Sequence, residues 1–191
     1  MKHGFVLAGP HSGSGKTTAA VVVMAALARK GVTVQPYKVG PDYLDPGFHN
    51  LVTPPRKSRN LDSFLLDDTA LRRTFLRNAL HADAAVVEGV MGLYDGRGRD
   101  GTGSTAQVAK KLGLPVILVI DAKGLARSAG AILLGFKQYD PEVHVAGVIF
   151  NRVSGPKHYE YLKEAVRPEW DVRDLGFIPR DPALEIPERH L

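Results

Sequence analysis

The residues running from Gly9 to Thr18, GPHSGSGKTT, carry the groups that together hold a polyphosphate. Gly13 and Gly15, on either side of Ser14, let the backbone turn its N–H groups inward on an anion. Lys16 supplies a positive charge for β and γ phosphates. Thr17 supplies a hydroxyl for Mg²⁺, with Thr18 beside it. A short apolar run, Phe5–Ala8, comes before the segment, and a long one, Ala19–Ala28, comes after it. That is the strand, loop, helix order of a phosphate-binding loop, with the positive end of the helix aimed at the anion. One position departs from the usual pattern: the expected glycine is Pro10, and Gly9 stands one residue early.

Other candidates follow apolar runs. Glu88 ends Ala84-Ala-Val-Val, where an acid reaches a Mg²⁺ site directly or through water; the alternative is an acid with no ligand role. Lys38, Asp42 and Asp45 lie in KVGPDYLDP after the second run. Two acids and a lysine there suit a site for metal and polyanion, although Gly-Pro-Asp and Asp-Pro are also turn chemistry. Asp95, in GVMGLYDG, either binds a second ion, orients an acceptor, or caps a turn. Asn151 can hydrogen-bond a purine edge or occupy a left-handed turn. Gly96-Arg-Gly-Arg-Asp-Gly101 spells GxGxxG but follows no strand and opens no helix, so it reads as a mobile basic loop rather than a dinucleotide site. The seven histidines show no metal-ligand spacing; His11 falls in the loop and His49 in a long irregular stretch.

Strand-like runs at Phe5–Ala8, Val32–Tyr37, Ala84–Val87, Pro115–Ile120, Val143–Phe150 and Val172–Ile178 must position these groups. Between them lie helix-like segments at Lys16–Arg29, Thr69–His81, Ser104–Leu112, Leu125–Tyr139 and Lys157–Val166. The alternation predicts an α/β fold, a mainly parallel sheet with helices on both faces. Ligands then bind beyond the carboxyl ends of the strands. Pro41–Asp68 reads as one long irregular loop.

At 191 residues and 44% hydrophobic, the chain is one domain with a sizeable core. It has no cysteine, which excludes thiolate metal sites and a cysteine nucleophile and fits a reducing, cytoplasmic setting. The net charge of +5 fits an ordinary solvated surface, with an acidic substrate as the second reading. No Lys/Arg run suggests a nucleic-acid arm, and no apolar stretch suggests a signal peptide or membrane span.

Taken together, GPHSGSGKTT, VQPYKVGPDYLDPGFH, SRNLDSF, VVEGVMGLYDG, GSTAQVAKKLGLPVILVIDA, GVIFNRV and LGFIPRDPALEIPERHL resemble the cobyrinic acid a,c-diamide synthase family, including its hydrogenobyrinic acid form. The resemblance spans the whole chain. It implies the dethiobiotin-synthetase-like type of the P-loop NTPase fold, whose loop also tends to carry a glycine one position early. It implies ATP and Mg²⁺, a corrin polycarboxylate, and ammonia from a C-terminal glutamine amidotransferase domain. That domain is absent from this chain, so residues 1–191 read as the synthetase domain, served by a partner subunit or by free ammonia. A homodimer is a further expectation.

The implied chemistry is phosphorylation of a carboxylate by ATP, then displacement of phosphate by ammonia. Lys16, Asp45, Glu88 and Asp95 are the candidate catalytic residues. Gly13, Ser14, Gly15, Lys16, Thr17, Thr18, Asn151 and Pro179 are candidates for the nucleotide, with Phe177–Arg180 framing adenine. Thr17, Asp42, Asp45 and Glu88 are candidates for Mg²⁺. Lys38, Asp42, Tyr43, Leu44, His49, Arg56 and Arg59 face the corrin in this reading. Dethiobiotin synthetase and amidoligases of other tetrapyrroles remain as enzyme alternatives. A partition or septum-site ATPase is the alternative from another class; its second loop lysine is here replaced by His11.

Overall fold

The computed structural model describes residues 3–98, 101–167, 170–184 and 186. Seven strands form one sheet: β1 (His3–Ala8), β2 (Val34–Val39), β3 (Arg59–Leu61), β4 (Ala84–Glu88), β5 (Val116–Asp121), β6 (Val145–Val153) and β7 (Arg173–Pro179). Their order is β3-β2-β4-β1-β5-β6-β7, and every pair is parallel. The helices are α1 (Lys16–Arg29), α2 (Leu44–Val52), α3 (Asp68–Ala79), α4 (Thr105–Leu112), α5 (Ser128–Tyr139) and α6 (Pro156–Glu164). All six sequence-predicted strands and five predicted helices are present, with ends shifted by a few residues.

The sheet is buried on both faces because its strands are apolar at successive positions. Leu7, Val86 and Val119 pack with Ala19, Ala20 and Met24 of α1 on one face. Val6, Ala8, Val87, Leu118 and Ile120 share the other face with Leu71, Phe75, Val108 and Leu133 of α3, α4 and α5. Helix ends follow local chemistry: Asp67 accepts from Ala70 N at 2.7 Å, Ser104 accepts from Gln107 N, and Gly113 closes α4 at φ 64°.

The stretch expected to be irregular, Pro41–Asp68, is not one loop. It holds α2 and β3. Asp42 starts α2 by accepting from Leu44 N at 2.8 Å and Asp45 N at 3.2 Å. Pro46 sits in the first turn of that helix, where its missing N–H costs nothing. The GxGxxG segment is also more closed than expected, since Arg97 and Thr102 pair as an antiparallel bridge. Arg99 and Asp100 fall outside the described residues, as do Glu185 and the last five of the tail.

Because all strands are parallel, their carboxyl ends lie along one edge. The chain order reverses at β1, which lies between β4 and β5, and that crevice is where ligands bind. Leu133 is wholly buried on α5, away from this edge. Leu133→Ala is expected to lower the unfolding free energy by about 2–5 kcal/mol in urea titrations, leaving nucleotide affinity unchanged.

Candidate active site

Beyond β1 the chain enters the loop Gly9–Gly15, whose Gly13 and Gly15 take φ of 78° and 88°. A side chain at Gly15 would be strained by that φ and would also run into the Asn151 amide. The loop is clamped from two sides. From β6, Asn151 Nδ2 donates to Ser14 O at 3.2 Å and Arg152 donates to Gly13 O at 3.1 Å. Asp121 at the end of β5 holds the Arg152 guanidinium at 2.7 Å. From the segment after β4, Leu93 N donates to Gly9 O at 2.8 Å. Lys16 Nζ folds back over the loop onto His11 O at 2.9 Å. The Ser14 hydroxyl is buried against Gly9 and finds no hydrogen-bond partner among the described residues.

Next to the loop lies a buried cluster of charge. Strand pairing sets Lys38 of β2 beside Glu88 of β4, and Glu88 beside Leu7 of β1. Glu88 Oε1 accepts from the Thr17 hydroxyl at 2.6 Å, and its Oε2 lies 2.6 Å from His49 Nε2. Lys38 Nζ donates to Gly89 O at 2.6 Å and lies 3.2 Å from Asp45 and 3.5 Å from Glu88. Thr17 Oγ1 also lies 3.4 Å from Asp45 Oδ1. Asp45 and His49 are four residues apart on α2, so one face of that helix carries both inward.

Among the described residues, no three His, Cys, Asp or Glu side chains converge into a metal cage of their own. Mg²⁺ in phosphoryl-transfer sites takes one or two carboxylates and completes its shell with phosphate oxygens and water. Thr17, Asp45 and Glu88 fit that donor set. Asp42 Oδ1 accepts from the first N–H groups of α2 and so helps place Asp45 in the cluster.

Residues 5–191 match the family model described as CbiA, the CobQ/CobB/MinD/ParA nucleotide binding domain. The chain belongs to this nucleotide-binding family. It is 49% identical over 189 residues to a cobyrinate a,c-diamide synthase of Streptococcus sanguinis, covering 98% of this chain and 42% of that protein. It is 51% identical over 187 residues to a hydrogenobyrinate a,c-diamide synthase of Streptomyces coelicolor, covering 97% of this chain and 38% of the relative. The chain thus spans about two fifths of the length of the curated relatives it matches. In fold it is similar to a nucleotide-binding protein in complex with ADP from Archaeoglobus fulgidus, with a TM-score of 0.58 and 16% identity over 95% of this chain and 84% of the other. Chloroplast FtsY from Physcomitrella patens gives a TM-score of 0.56 at 16% identity, over 90% of this chain and 55% of that one. Both likenesses concern the P-loop fold alone.

Within this nucleotide-binding domain, Thr18, Asn151, Arg152, Pro179, Asp181 and Leu184 line one small cleft beside the loop. Three nucleotide candidates, Thr18, Asn151 and Pro179, share its lining. Arg152 was not singled out from sequence; it takes the left-handed φ of 57° that Asn151 was offered as an alternative role. Asp95 accepts from Gly92 N at 3.0 Å, closing the turn after β4, and its charge reaches Lys16.

The residues placed on the acceptor side divide. Tyr43 and Leu44 are exposed, at 91% and 57%, at the start of α2. Lys38 and His49 are buried inside the cluster, so neither presents a surface to a macrocycle. Arg56 donates to Asn78 O and Leu80 O at 3.0 Å, satisfying carbonyls at the end of α3. Arg59 bonds Asn78 Oδ1 at 3.3 Å. Both arginines therefore tie β3 and its approach to α3, because the stretch expected to be a free loop is folded against the domain.

Burial, and then the neighbouring Lys38, pull the Lys16 ammonium down to about 8, against the opposing pull of Glu88, Asp45 and Asp95. Bound polyphosphate favours the protonated form. Below that pH the proton is already present; above it, binding must take a proton up. Nucleotide affinity is expected to fall as pH rises above about 8, by up to about tenfold per pH unit, with about one proton absorbed per nucleotide. Calorimetry in two buffers of different ionisation enthalpy checks this. Affinity independent of pH from 7 to 10, roughly the span that brackets this titration, would remove the assignment.

Proposed function

We propose that this chain is the ATP-using part of a diamide synthase, amidating the a and c carboxylates of cobyrinic or hydrogenobyrinic acid. The observation that carries the reading is the meeting of Thr17, Asp45 and Glu88 in one cluster beside Lys16, in a chain about half identical to named diamide synthases. A cytoplasmic setting accords with a cysteine-free chain that uses ATP.

A carboxylate is a poor electrophile, so it is activated first. One substrate carboxylate oxygen attacks the γ-phosphorus of ATP; the bond to the β,γ-bridging oxygen breaks and ADP leaves. Ammonia then attacks the acyl carbon of the acyl phosphate, inorganic phosphate leaves, and the nitrogen loses a proton to give the amide. Lys16 and the loop N–H groups neutralise charge that builds on the phosphoryl oxygens. Thr17, Asp45 and Glu88 would hold Mg²⁺, which would screen the charge on the phosphate oxygens. Lys38 pairs with both carboxylates and holds them in place while staying out of solvent. Tyr43 and Leu44, the two residues just before Asp45, offer the corrin an exposed surface, and Asp95 orients the incoming group. Ammonia comes from a glutamine amidotransferase domain or subunit, or from solution.

The test is ADP release with MgATP and an ammonium salt, with and without cobyrinic acid, and product mass. Corrin-dependent release with diamide formed supports the reading. Nucleotide binding with release indifferent to either corrin acid overturns it. Lys16→Ala is expected to lose at least about 10²-fold in turnover with an unchanged circular dichroism spectrum. Near-normal turnover would remove Lys16 from the mechanism.

A further inference from the structure

The Glu88 carboxylate is held by donors from three elements. Thr17 on α1 and Lys38 on β2 reach Oε1, and His49 on α2 reaches Oε2. His49 is the least exposed of these partners, at 0%. Its far nitrogen, Nδ1, lies 3.0 Å from the Ser58 hydroxyl. Ser58 is itself fixed, since its backbone N–H donates to Asn50 Oδ1 at 2.7 Å. Ser58, His49, Glu88 and Thr17 therefore form one continuous chain of hydrogen bonds ending at the phosphate-binding loop.

An ionised carboxylate only accepts. The proton in the His49–Glu88 contact thus sits on Nε2, and an imidazole protonated there alone accepts at Nδ1 from the Ser58 hydroxyl. An apolar side chain could fill the same volume, but it would leave Glu88 Oε2 buried without a donor. The carboxylate would then be free to turn, and Oε1 would lose its fixed direction toward Thr17.

We infer that His49 is a positioning residue for the divalent-cation site: it orients the Glu88 carboxylate toward Thr17, and Ser58 sets its tautomer. The inference rests on the reading above that Glu88 serves Mg²⁺. Hydrogen-bonded supports behind metal-binding carboxylates commonly change metal affinity by about 10- to 100-fold when removed.

The experiment measures ADP affinity in the absence of divalent cations, and Mn²⁺ affinity of the ADP complex by electron paramagnetic resonance. The full chain is compared with His49→Leu, His49→Gln, Ser58→Ala and Glu88→Gln. His49→Leu should weaken Mn²⁺ by about 10- to 100-fold and leave metal-free ADP binding unchanged. His49→Gln, whose amide can donate from near the Nε2 position, should recover most of the loss. Ser58→Ala should give a smaller loss in the same direction. Wild-type Mn²⁺ affinity in His49→Leu, with Glu88→Gln impaired, overturns the inference alone. A Glu88→Gln variant with normal Mn²⁺ affinity overturns the metal reading, and the inference with it. If His49→Leu does not fold, Ser58→Ala decides, because it leaves His49 and the surrounding packing in place. Unchanged Mn²⁺ affinity there overturns the role given to the chain of bonds.

Discussion

Glu88 is a wholly buried carboxylate at the end of a central strand, and much of this domain is arranged to make that tolerable. A lone buried anion would cost several kcal/mol, so it must be surrounded by donors. The parallel pairing of β2, β4 and β1 supplies the first condition by setting Lys38 beside Glu88 and Leu7 on its other side. α1 supplies Thr17 as soon as the phosphate-binding loop ends. α2 supplies His49 and, one turn earlier, Asp45. Loss of register between β2 and β4 by one residue would send Lys38 to the opposite face and leave both acids without their cation.

The second constraint is the loop itself. Its glycines allow a conformation that turns N–H groups toward an anion, but flexibility alone would leave that conformation sparsely populated. Asn151, Arg152 and Leu93 hold its carbonyls from outside. Asp121 keeps the Arg152 guanidinium in place, so the ends of β5 and β6 act on the loop together. Glycine is needed twice at position 15, once for φ and once because the Asn151 amide occupies the space of a side chain. The loop's rigidity therefore depends on residues more than a hundred positions away in sequence.

The two buried lysines near the phosphate-binding loop have different surroundings. Lys38 is saturated by Asp45, Glu88 and the Gly89 carbonyl, which makes it part of the frame. Among the described residues, Lys16 has only the His11 carbonyl for a direct bond, and it holds its proton less firmly than a solvated lysine. It is the lysine whose charge a polyphosphate would satisfy. Both are buried; the loop context already marked Lys16 for phosphate, whereas the place of Lys38 in the frame depends on strand pairing.

Much of this was legible in the sequence. The apolar runs and the strand–loop–helix order around Lys16 are local properties, decided by residues within a turn or two of each other. So was the placement of Glu88 at a strand end. What only the tertiary structure decided are contacts whose partners are far apart in the chain. Pro41–Asp68 looked irregular because Pro46 and Gly47 hide a helix whose cap, Asp42, reads equally well as a turn. His49 looked like a residue free to meet substrate, until the packing of α2 on α1 and β2 turned it toward Glu88. Arg152 carried no local signal, since its partners lie in the loop and on β5. Periodicity and caps are written along the chain; which buried charge finds which partner depends on strand order and helix packing, which the chain encodes only as a whole.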